Sequence, residues 1–292
     1  MALNSWPGYE PLFLAKEMKL FGKTPPGIIR VHSNTDTVKA LRSGILDVAA
    51  LTMDEVLRMA QDVPDVSVFL ILDISDGGDA IVGQEGIASM SDLKGRRIGV
   101  EAGALGAYVL TRAIEKTPGL SLSDLEIYPV TYKDHEEVFL SRAIDAVVTF
   151  EPVKSRLLEQ GGSTLFDSSQ IPNEILDVLV VRNEVARQYP EELRAIVAGW
   201  FAAMQFIKEN PKVAFATMAG YEKISASLFE SSYHSMRFPT LDENRRLLAQ
   251  GNPGILDSVE QVKANLLKNK ILIHPFPLAP LFSDRFLAKA VP

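Results

Sequence analysis

The sequence predicts an α/β protein built as two lobes with a ligand cleft between them. Apolar strand-like runs alternate with helix-like runs up to residue 182, and the alternation restarts after a polar stretch at 83–95. Alternating strands and helices form parallel sheets that helices cover on both faces. The restart therefore predicts a second unit of the same kind, joined to the first by short extended segments.

The first unit is defined by helical spacing, cap signals and short apolar runs. Residues 12–21 and 37–42 have the spacing of helices, and Gly44 closes the second one. Thr52 begins a further helix, because Glu55 three residues later completes a capping box. The strands of this unit are predicted at 48–51, 66–72 and 80–82. The strand at 66–72 is apolar throughout, as in sheets that are covered on both faces.

The second unit repeats this order and leads into a helical C-terminal part. Its strands are predicted at 97–100, 125–130 and 146–150, with helices up to 116, from 134 and from 152. A strongly strand-like run at 175–182 follows. Residues 191–210 then begin a series of helices, because apolar residues such as Leu193, Trp200 and Ile207 recur on one helical face.

A strand, glycines and a helix follow one another directly at 98–108. The apolar strand ends at Val100, and Gly103 and Gly106 lie where the next helix begins. A helix start leaves N–H donors without partners and favours electron-rich groups, so this turn is a candidate ligand site. A glycine kept for steric reasons is the alternative, because the dinucleotide pattern GxGxxG is absent.

Composition and charge exclude several classes of function. The chain has 292 residues and a net charge of −7, and it carries no basic run, so nucleic-acid binding is not expected. No apolar stretch is long enough to insert in a membrane. The absence of cysteine excludes disulfides, thiol nucleophiles and cysteine-bound metals. The histidines are scattered and no nucleophile elbow occurs, so no metal, cofactor or catalytic residue is expected.

Polar, aromatic or glycine residues follow the predicted strands, where ligands of open α/β sheets bind. The candidate ligand-binding residues are Trp6, Tyr9, Asn34, Thr52, Asp73, Asp79, Glu101, Gly103, Ala104, Leu105, Thr149, Glu151 and Asp177. Trp6 and Tyr9 flank a Pro-Gly turn, which favours a stacking wall over plain packing. Helix N-capping explains Asn34 and Thr52 equally well, and the carboxylates can also be read as solvated loop acids.

Acidic side chains outnumber basic ones at these strand ends. A site for nitrate or a sulfonate is expected to place Arg or Lys beside backbone donors, because charge-assisted hydrogen bonds are roughly twice as strong as neutral ones. The strand ends offer no such partner. We therefore expect a neutral or weakly basic nitrogen heterocycle, held by one carboxylate and by the face of Trp6 or Tyr9.

Six sequence blocks in order carry a resemblance to a known family. They read WPGYEPLFLAKE, SNTDTVKALRSGILDVAALT, LILDISDGGDAIV, SDLKGRRIGVEAGALGAY, DAVVTFEP and LFDSSQIPNEILDVLVVR, within residues 3–210. Here the chain resembles the NMT1/THI5-like family of ABC importer substrate-binding proteins for nitrate, sulfonates, taurine and thiamine precursors. The resemblance implies the type II periplasmic-binding-protein fold, a monomer, a small-molecule ligand, and permease and ATPase subunits as partners.

The family pattern also implies lobe boundaries and residue roles. Lobe I is expected to comprise 1–84 and 179–292, and lobe II 85–178. The implied roles are aromatic walls for Trp6 and Tyr9, hydrogen bonding for Asn34 and Thr52, backbone donors at 103–105, and a rim position for Glu151. Ala104 departs from the serine that relatives often carry, so a hydroxyl donor is missing at the helix start.

Three alternatives stay open beside an importer component that binds a nitrogen heterocycle. The chain is also compatible with a binder of nitrate or an aliphatic sulfonate, and with the ligand-sensing domain of a larger membrane signalling protein. An enzyme that forms the thiamine pyrimidine is less favoured, because such enzymes resemble this chain in fold but carry a cysteine-rich motif. The importer interpretation implies an extracytoplasmic location with the signal segment absent from this sequence, since residues 2–4 read as the tail of a strand whose beginning is missing.

Overall fold

The structure is a computed structural model that describes residues 1–63, 65–249 and 253–287. Its strands are β1 (Ala2–Leu3), β2 (Ile29–Arg30), β3 (Val48–Thr52), β4 (Val66–Ser75), β5 (Asp79–Gly83), β6 (Arg97–Val100), β7 (Glu126–Pro129), β8 (Ala146–Phe150), β9 (Ser163–Asp167), β10 (Leu176–Arg182) and β11 (Met236–Arg237). Its helices are α1 (Glu10–Glu17), α2 (Asn34–Arg42), α3 (Met53–Ala60), α4 (Leu105–Glu115), α5 (His135–Leu140), α6 (Val153–Glu159), α7 (Asn183–Gln188), α8 (Pro190–Glu209), α9 (Pro211–Glu222), α10 (Ala226–Tyr233), α11 (Leu241–Leu248) and α12 (Pro253–Lys268).

One sheet combines strands from the N-terminal and the C-terminal parts of the described chain. Among the residues that the structure describes, its six strands have the order β11, β4, β10, β3, β1, β2. β1 is parallel to β2 and β3, whereas β10 runs antiparallel to both β3 and β4. All 10 residues of β4 are buried, which accounts for its unbroken apolar run.

The second sheet is formed by the middle of the chain. Its five strands have the order β7, β6, β8, β5, β9 in the described residues. β6 is parallel to β7 and β8, whereas β5 runs antiparallel to β8 and β9. Both sheets are therefore mixed, and the expectation of wholly parallel sheets is wrong. The strands that enter from the other sheet, β5 and β10, run opposite to their neighbours, and β11 is antiparallel to β4.

The chain crosses between the sheets at 76–78 and again at 168–175. The boundaries expected at 84/85 and 178/179 are therefore corrected: lobe I has its strands before 76 and after 175, and lobe II has strands from 79 to 167. The apolar run at 79–83 fits either sheet, so its pattern alone does not assign it. Ser168 joins the two crossovers, because its hydroxyl accepts from Gly77 N at 2.7 Å and lies 2.8 Å from Ser75 Oγ.

The helices after β10 pack mainly on lobe I, where α8 and α9 contact α1 and α12 contacts α3. The far end of α12 also touches lobe II. Lys268 Nζ lies 2.7 Å from Glu115 Oε1, and Asn265 Nδ2 donates to Tyr108 OH at 3.4 Å. The lobes are thus bonded to one another on this side as well as at the cleft.

A search of the described helices for membrane-spanning segments finds none with the required length and apolar character.

Candidate functional site

A small cavity lies where the two lobes meet, at the carboxyl ends of β6 and β8. Its volume of about 20 Å³ has room for about one water molecule. The lining residues are Asn34 from lobe I and Asp79, Glu101, Ala104, Leu105, Gly106, Val109, His135, Val148, Thr149 and Phe150 from lobe II. The structure therefore brings six candidate residues to one place: Asn34, Asp79, Glu101, Ala104, Leu105 and Thr149.

Glu101 links the two lobes from the end of β6. Its Oε1 accepts from Ser33 Oγ at 3.0 Å and from Thr35 N at 3.1 Å, both in lobe I. Its Oε2 accepts from Tyr132 N at 3.2 Å in lobe II. Ser33 is the N-cap of α2, so a carboxylate from the opposite lobe supplements the cap of that helix. Glu101 is buried and bonded by protein groups in this closed arrangement.

Helix capping explains the position of Thr52 but not that of Asn34. The N-cap of α2 is Ser33, whose hydroxyl accepts from a backbone N–H of the first turn, so capping does not explain Asn34. Asn34 Oδ1 accepts from Asn4 Nδ2 at 2.8 Å, and the side chain lines the cavity. Thr52 is the N-cap of α3, its N–H donates to Glu55 Oε2 at 3.1 Å, and it does not line the cavity.

Two buried aspartates hold Trp6 and Tyr9 in lobe I. Trp6 Nε1 donates to both oxygens of Asp73 at 3.1 Å, and Tyr9 OH donates to Asp177. Burial raises the pKa of both aspartates well above the usual range, and for Asp177 the facing Asp73 adds to the effect. Asp73 and Asp177 are directly paired across β4 and β10. These carboxyls belong to the floor of lobe I and do not line the cavity.

The two aromatic residues differ in their relation to the cleft. The ring of Trp6 meets Phe150 of lobe II edge-on, with centroids 6.0 Å apart, so it supports the cavity wall. Tyr9 is 1% exposed and lies inside lobe I, away from the cavity lining. The expected pair of stacking walls is therefore replaced by Phe150 at the cavity, with Trp6 behind it.

Asp79 and Glu151 lie at the same edge of the second sheet, because Asp79 begins β5, Glu151 follows β8, and the two strands are antiparallel. Asp79 lines the cavity, and burial raises its pKa to about 7. Glu151 accepts from Ser155 Oγ at 3.0 Å in lobe II and from Ser232 Oγ at 3.3 Å in lobe I. Glu151 is 3% exposed, so it forms a buried contact between the lobes where an open rim position was expected.

The glycine turn before α4 packs directly against lobe I. A Cβ added at Gly103 would lie 2.3 Å from Thr35 Oγ1 across the cleft. Leu105 N donates to Glu55 Oε1 of lobe I at 3.3 Å, and Arg58 donates to Ala104 O at 3.2 Å. Gly103 is therefore required for steric reasons. The backbone donor Leu105 N at the helix start is already bonded to a carboxyl group of the protein.

His135 is a cavity residue that the sequence analysis missed. Its Nδ1 lies 3.1 Å from Thr149 Oγ1, and its Nε2 has no hydrogen-bond partner within the described chain. Burial lowers the pKa of His135 to about 4, so the imidazole is neutral at pH 7. His135 begins α5 and is separated from the end of β7 by residues 130–134, so the strand-end rule does not reach it.

Metal-ligating side chains do not gather at this site. Within the residues that the structure describes, no group of three or more His, Cys, Asp or Glu is placed to hold a metal ion.

Sequence comparisons identify relatives over part of the chain. The profile of a family described as NMT1/THI5 like matches residues 27–214. A putative binding protein of Brucella abortus (strain 2308) is 26% identical over 182 residues, which are 60% of this chain and 56% of that protein. The taurine-binding periplasmic protein of Escherichia coli (strain K12) is 27% identical over 210 residues, 70% of this chain and 65% of that protein. The match thus spans little more than half the length of the Brucella relative.

Solved structures resemble the whole described molecule. The alkanesulfonate-binding protein SsuA from Xanthomonas axonopodis pv. citri, bound to MOPS, has a TM-score of 0.78 at 15% identity, covering 95% of this chain and 94% of that one. The desulfurization enzyme DSZB has a TM-score of 0.72 at 17% identity, covering 99% and 98%. These similarities concern the fold, and they confirm the predicted α/β architecture of two lobes around a cleft.

Proposed function

Because the chain belongs to the NMT1/THI5-like family, we propose that it is an extracytoplasmic solute-binding protein that closes its two lobes on one small molecule. An importer permease with its ATPase is the proposed partner that recognises the closed form. Both curated relatives described above are named as binding proteins. For the permease to detect bound ligand through lobe closure, the ligand needs only to contact both lobes and favour the closed state.

One observation carries this proposal: a buried, neutral imidazole with an unpartnered nitrogen at a cavity shared by both lobes. Buried polar atoms almost always have hydrogen-bond partners. His135 Nε2 lacks one among the described residues, while Asn34 faces the same space from the other lobe. A ligand placed between them would satisfy the imidazole and bridge the lobes. The cavity is smaller than an organic solute, so the lobes must separate to admit one.

The chemistry of the lining favours a ligand with N–H donors. Asp79 and Glu101 supply carboxyl oxygens, Phe150 supplies an aromatic face, and no Lys or Arg is among the described lining residues. We therefore propose a weakly basic nitrogen heterocycle, such as an aminopyrimidine, as the ligand class. Taurine is the second candidate, because a relative is named for it and its ammonium group suits the same carboxylates.

Calorimetric titration with 4-amino-2-methylpyrimidine, taurine, ethanesulfonate and nitrate tests the proposal. We expect the aminopyrimidine to bind in the micromolar range or tighter. His135→Ala should weaken it by roughly tenfold, since one buried hydrogen bond is lost. His274→Ala, at an exposed position, is the matched control. A preference for ethanesulfonate would refute the ligand class, and failure of every probe together with an empty protein in native mass spectrometry would refute the binding function.

A further inference from the structure

The N-terminus of α4 faces the cleft without a cap from its own residues. The N-cap position is Ala104, which has no side-chain acceptor. The first N–H groups of a helix lack intrahelical partners, and the aligned peptide dipoles attract negative charge there. In an α/β cleft, such a helix start is the natural place for an anionic ligand group.

A side chain from the opposite lobe already stands at this position. Glu55, on α3 of lobe I, accepts from Leu105 N through Oε1 at 3.3 Å. Its other oxygen accepts from Thr52 N at 3.1 Å, so the carboxyl group is held at both ends. Glu55 is 1% exposed, so its carboxyl group is shielded from bulk solvent. One turn further along α3, Arg58 donates to Ala104 O at 3.2 Å and fixes the same contact.

A reverse contact, from a carboxyl group of lobe II to a helix start of lobe I, also crosses the cleft. Glu101 of lobe II accepts from Thr35 N in the first turn of α2, which belongs to lobe I. Each lobe thus sends one carboxyl group to a helix start of the other lobe. The backbone donors Leu105 N and Thr35 N are both taken by carboxyl groups while the lobes are together.

We propose that Glu55 determines specificity by occupying the N-terminus of α4, so that oxyanions such as sulfonates and nitrate are excluded from it. This inference rests on the cleft being the solute site. A sulfonate reaching Leu105 N would have to displace Glu55 and would then lie among Glu55, Asp54 and Glu101. A ligand that binds through its own N–H groups leaves Glu55 in place.

Titration of ethanesulfonate into Glu55 variants at pH 7 tests the proposal. Glu55→Ala vacates the position, and Glu55→Asp withdraws the carboxyl by one methylene while keeping the acid and the cap of α3. Both should bind ethanesulfonate at least about tenfold more tightly than the unaltered protein. If the alanine variant fails to fold, the aspartate variant carries the test. The matched control is Glu55→Gln, which keeps an oxygen at the same place and should gain little.

The amide resonance of Leu105, followed by NMR, gives a readout independent of any solute. It should shift in Glu55→Asp without ligand and shift again when ethanesulfonate is added. The proposal is overturned if neither shortened variant gains affinity, or if Glu55→Gln gains as much as they do. Failure of the aminopyrimidine to bind any form would instead count against the proposed function, because the Leu105 shift is measured without it.

Discussion

Single residues in this protein set how closely the lobes approach. Gly103 was singled out for its backbone donor, yet its nearest neighbour across the cleft is the side chain of Thr35. Gly8 is a similar case inside lobe I, where an added Cβ would lie 2.1 Å from Asp73 Oδ2. At both places the missing side chain lets polar groups reach their partners, so the glycines serve packing as well as backbone exposure.

Gly103→Ala should hold the lobes apart, because the new Cβ overlaps Thr35. Overpacking of this kind costs about 1–3 kcal/mol, so the affinity for a ligand that requires closure should fall by roughly fivefold to a hundredfold. Small-angle scattering should show a larger radius of gyration. Gly220→Ala is the control, since a Cβ there meets nothing within 4 Å. Unchanged scattering and affinity in the Gly103 variant would contradict this view.

The candidate site could be predicted in part because strand ends are local features. That rule finds Asn34 and Thr149, which the structure brings to the cavity, whereas Asp79 begins β5 and reaches the cavity because β5 is antiparallel to β8. The rule does not find Glu55, because a capping box already explains a glutamate at that position. Its contact with Leu105 depends on how the lobes meet, which the sequence does not reveal. The position of Tyr9 away from the cavity could not be predicted for a related reason: its partner Asp177 lies far along the chain.

At the scale of elements, the two strands that cross between the lobes decide the topology. β5 and β10 are apolar and buried like their neighbours, and both run antiparallel to them. Apolar patterning predicts that such strands exist but carries no information on the sheet they join. The order of the long helices and strands was therefore predictable, whereas sheet membership at 79–83, strand direction and the strands β2, β9 and β11 were not.

Helix α11 completes one edge of β4 through a single amide side chain. Asn244 is fully buried, its Oδ1 accepts from Ile71 N at 2.8 Å, and its Nδ2 donates to Ile71 O at 3.1 Å. β11 pairs with β4 only at Ile74 and Ser75, so it does not reach Ile71. The side chain thus takes the place of a neighbouring strand.

Asn244→Ala should lower the free energy of unfolding by about 1–3 kcal/mol, because it leaves both backbone groups of Ile71 buried without partners. Urea unfolding followed by circular dichroism measures this difference. Gln205→Ala removes an exposed amide that bonds Glu209, and it should change the free energy by less than about 0.5 kcal/mol. Equal effects of the two variants would show that the strand edge does not depend on Asn244.

At the scale of the whole molecule, acidic groups are concentrated where the lobes meet. Burial raises the pKa of Asp79 to about 7 and that of Glu55 to about 8, with nearby Asp54 contributing to the latter. Asp73 and Asp177 shift in the same direction. The folded protein therefore holds protons that the unfolded chain releases at lower pH.

The free energy of unfolding should decrease as pH rises from about 4 to about 8, the interval between the ordinary and the raised pKa values of Asp79 and Glu55. A carboxyl whose pKa is raised by folding contributes its full stability below the unfolded pKa, loses up to about 1.4 kcal/mol per pH unit between the unfolded and the folded pKa, and changes stability no further above the folded pKa. Urea titrations at several pH values measure the slope. Asp79→Asn should flatten it between about pH 4 and pH 7, whereas Asp76→Asn at an exposed position should not. Stability that rises over this range would refute the assignment.

The two crossovers lie side by side, because Ser168 of one bonds both Ser75 and Gly77 of the other. Two short crossovers that are bonded to one another form a hinge. Such a hinge permits rotation of the lobes about the line that joins the crossovers and resists twisting and sliding. The opening that we propose would therefore be a single rotation. Each closure would then return Glu55 and Glu101 to the same helix starts.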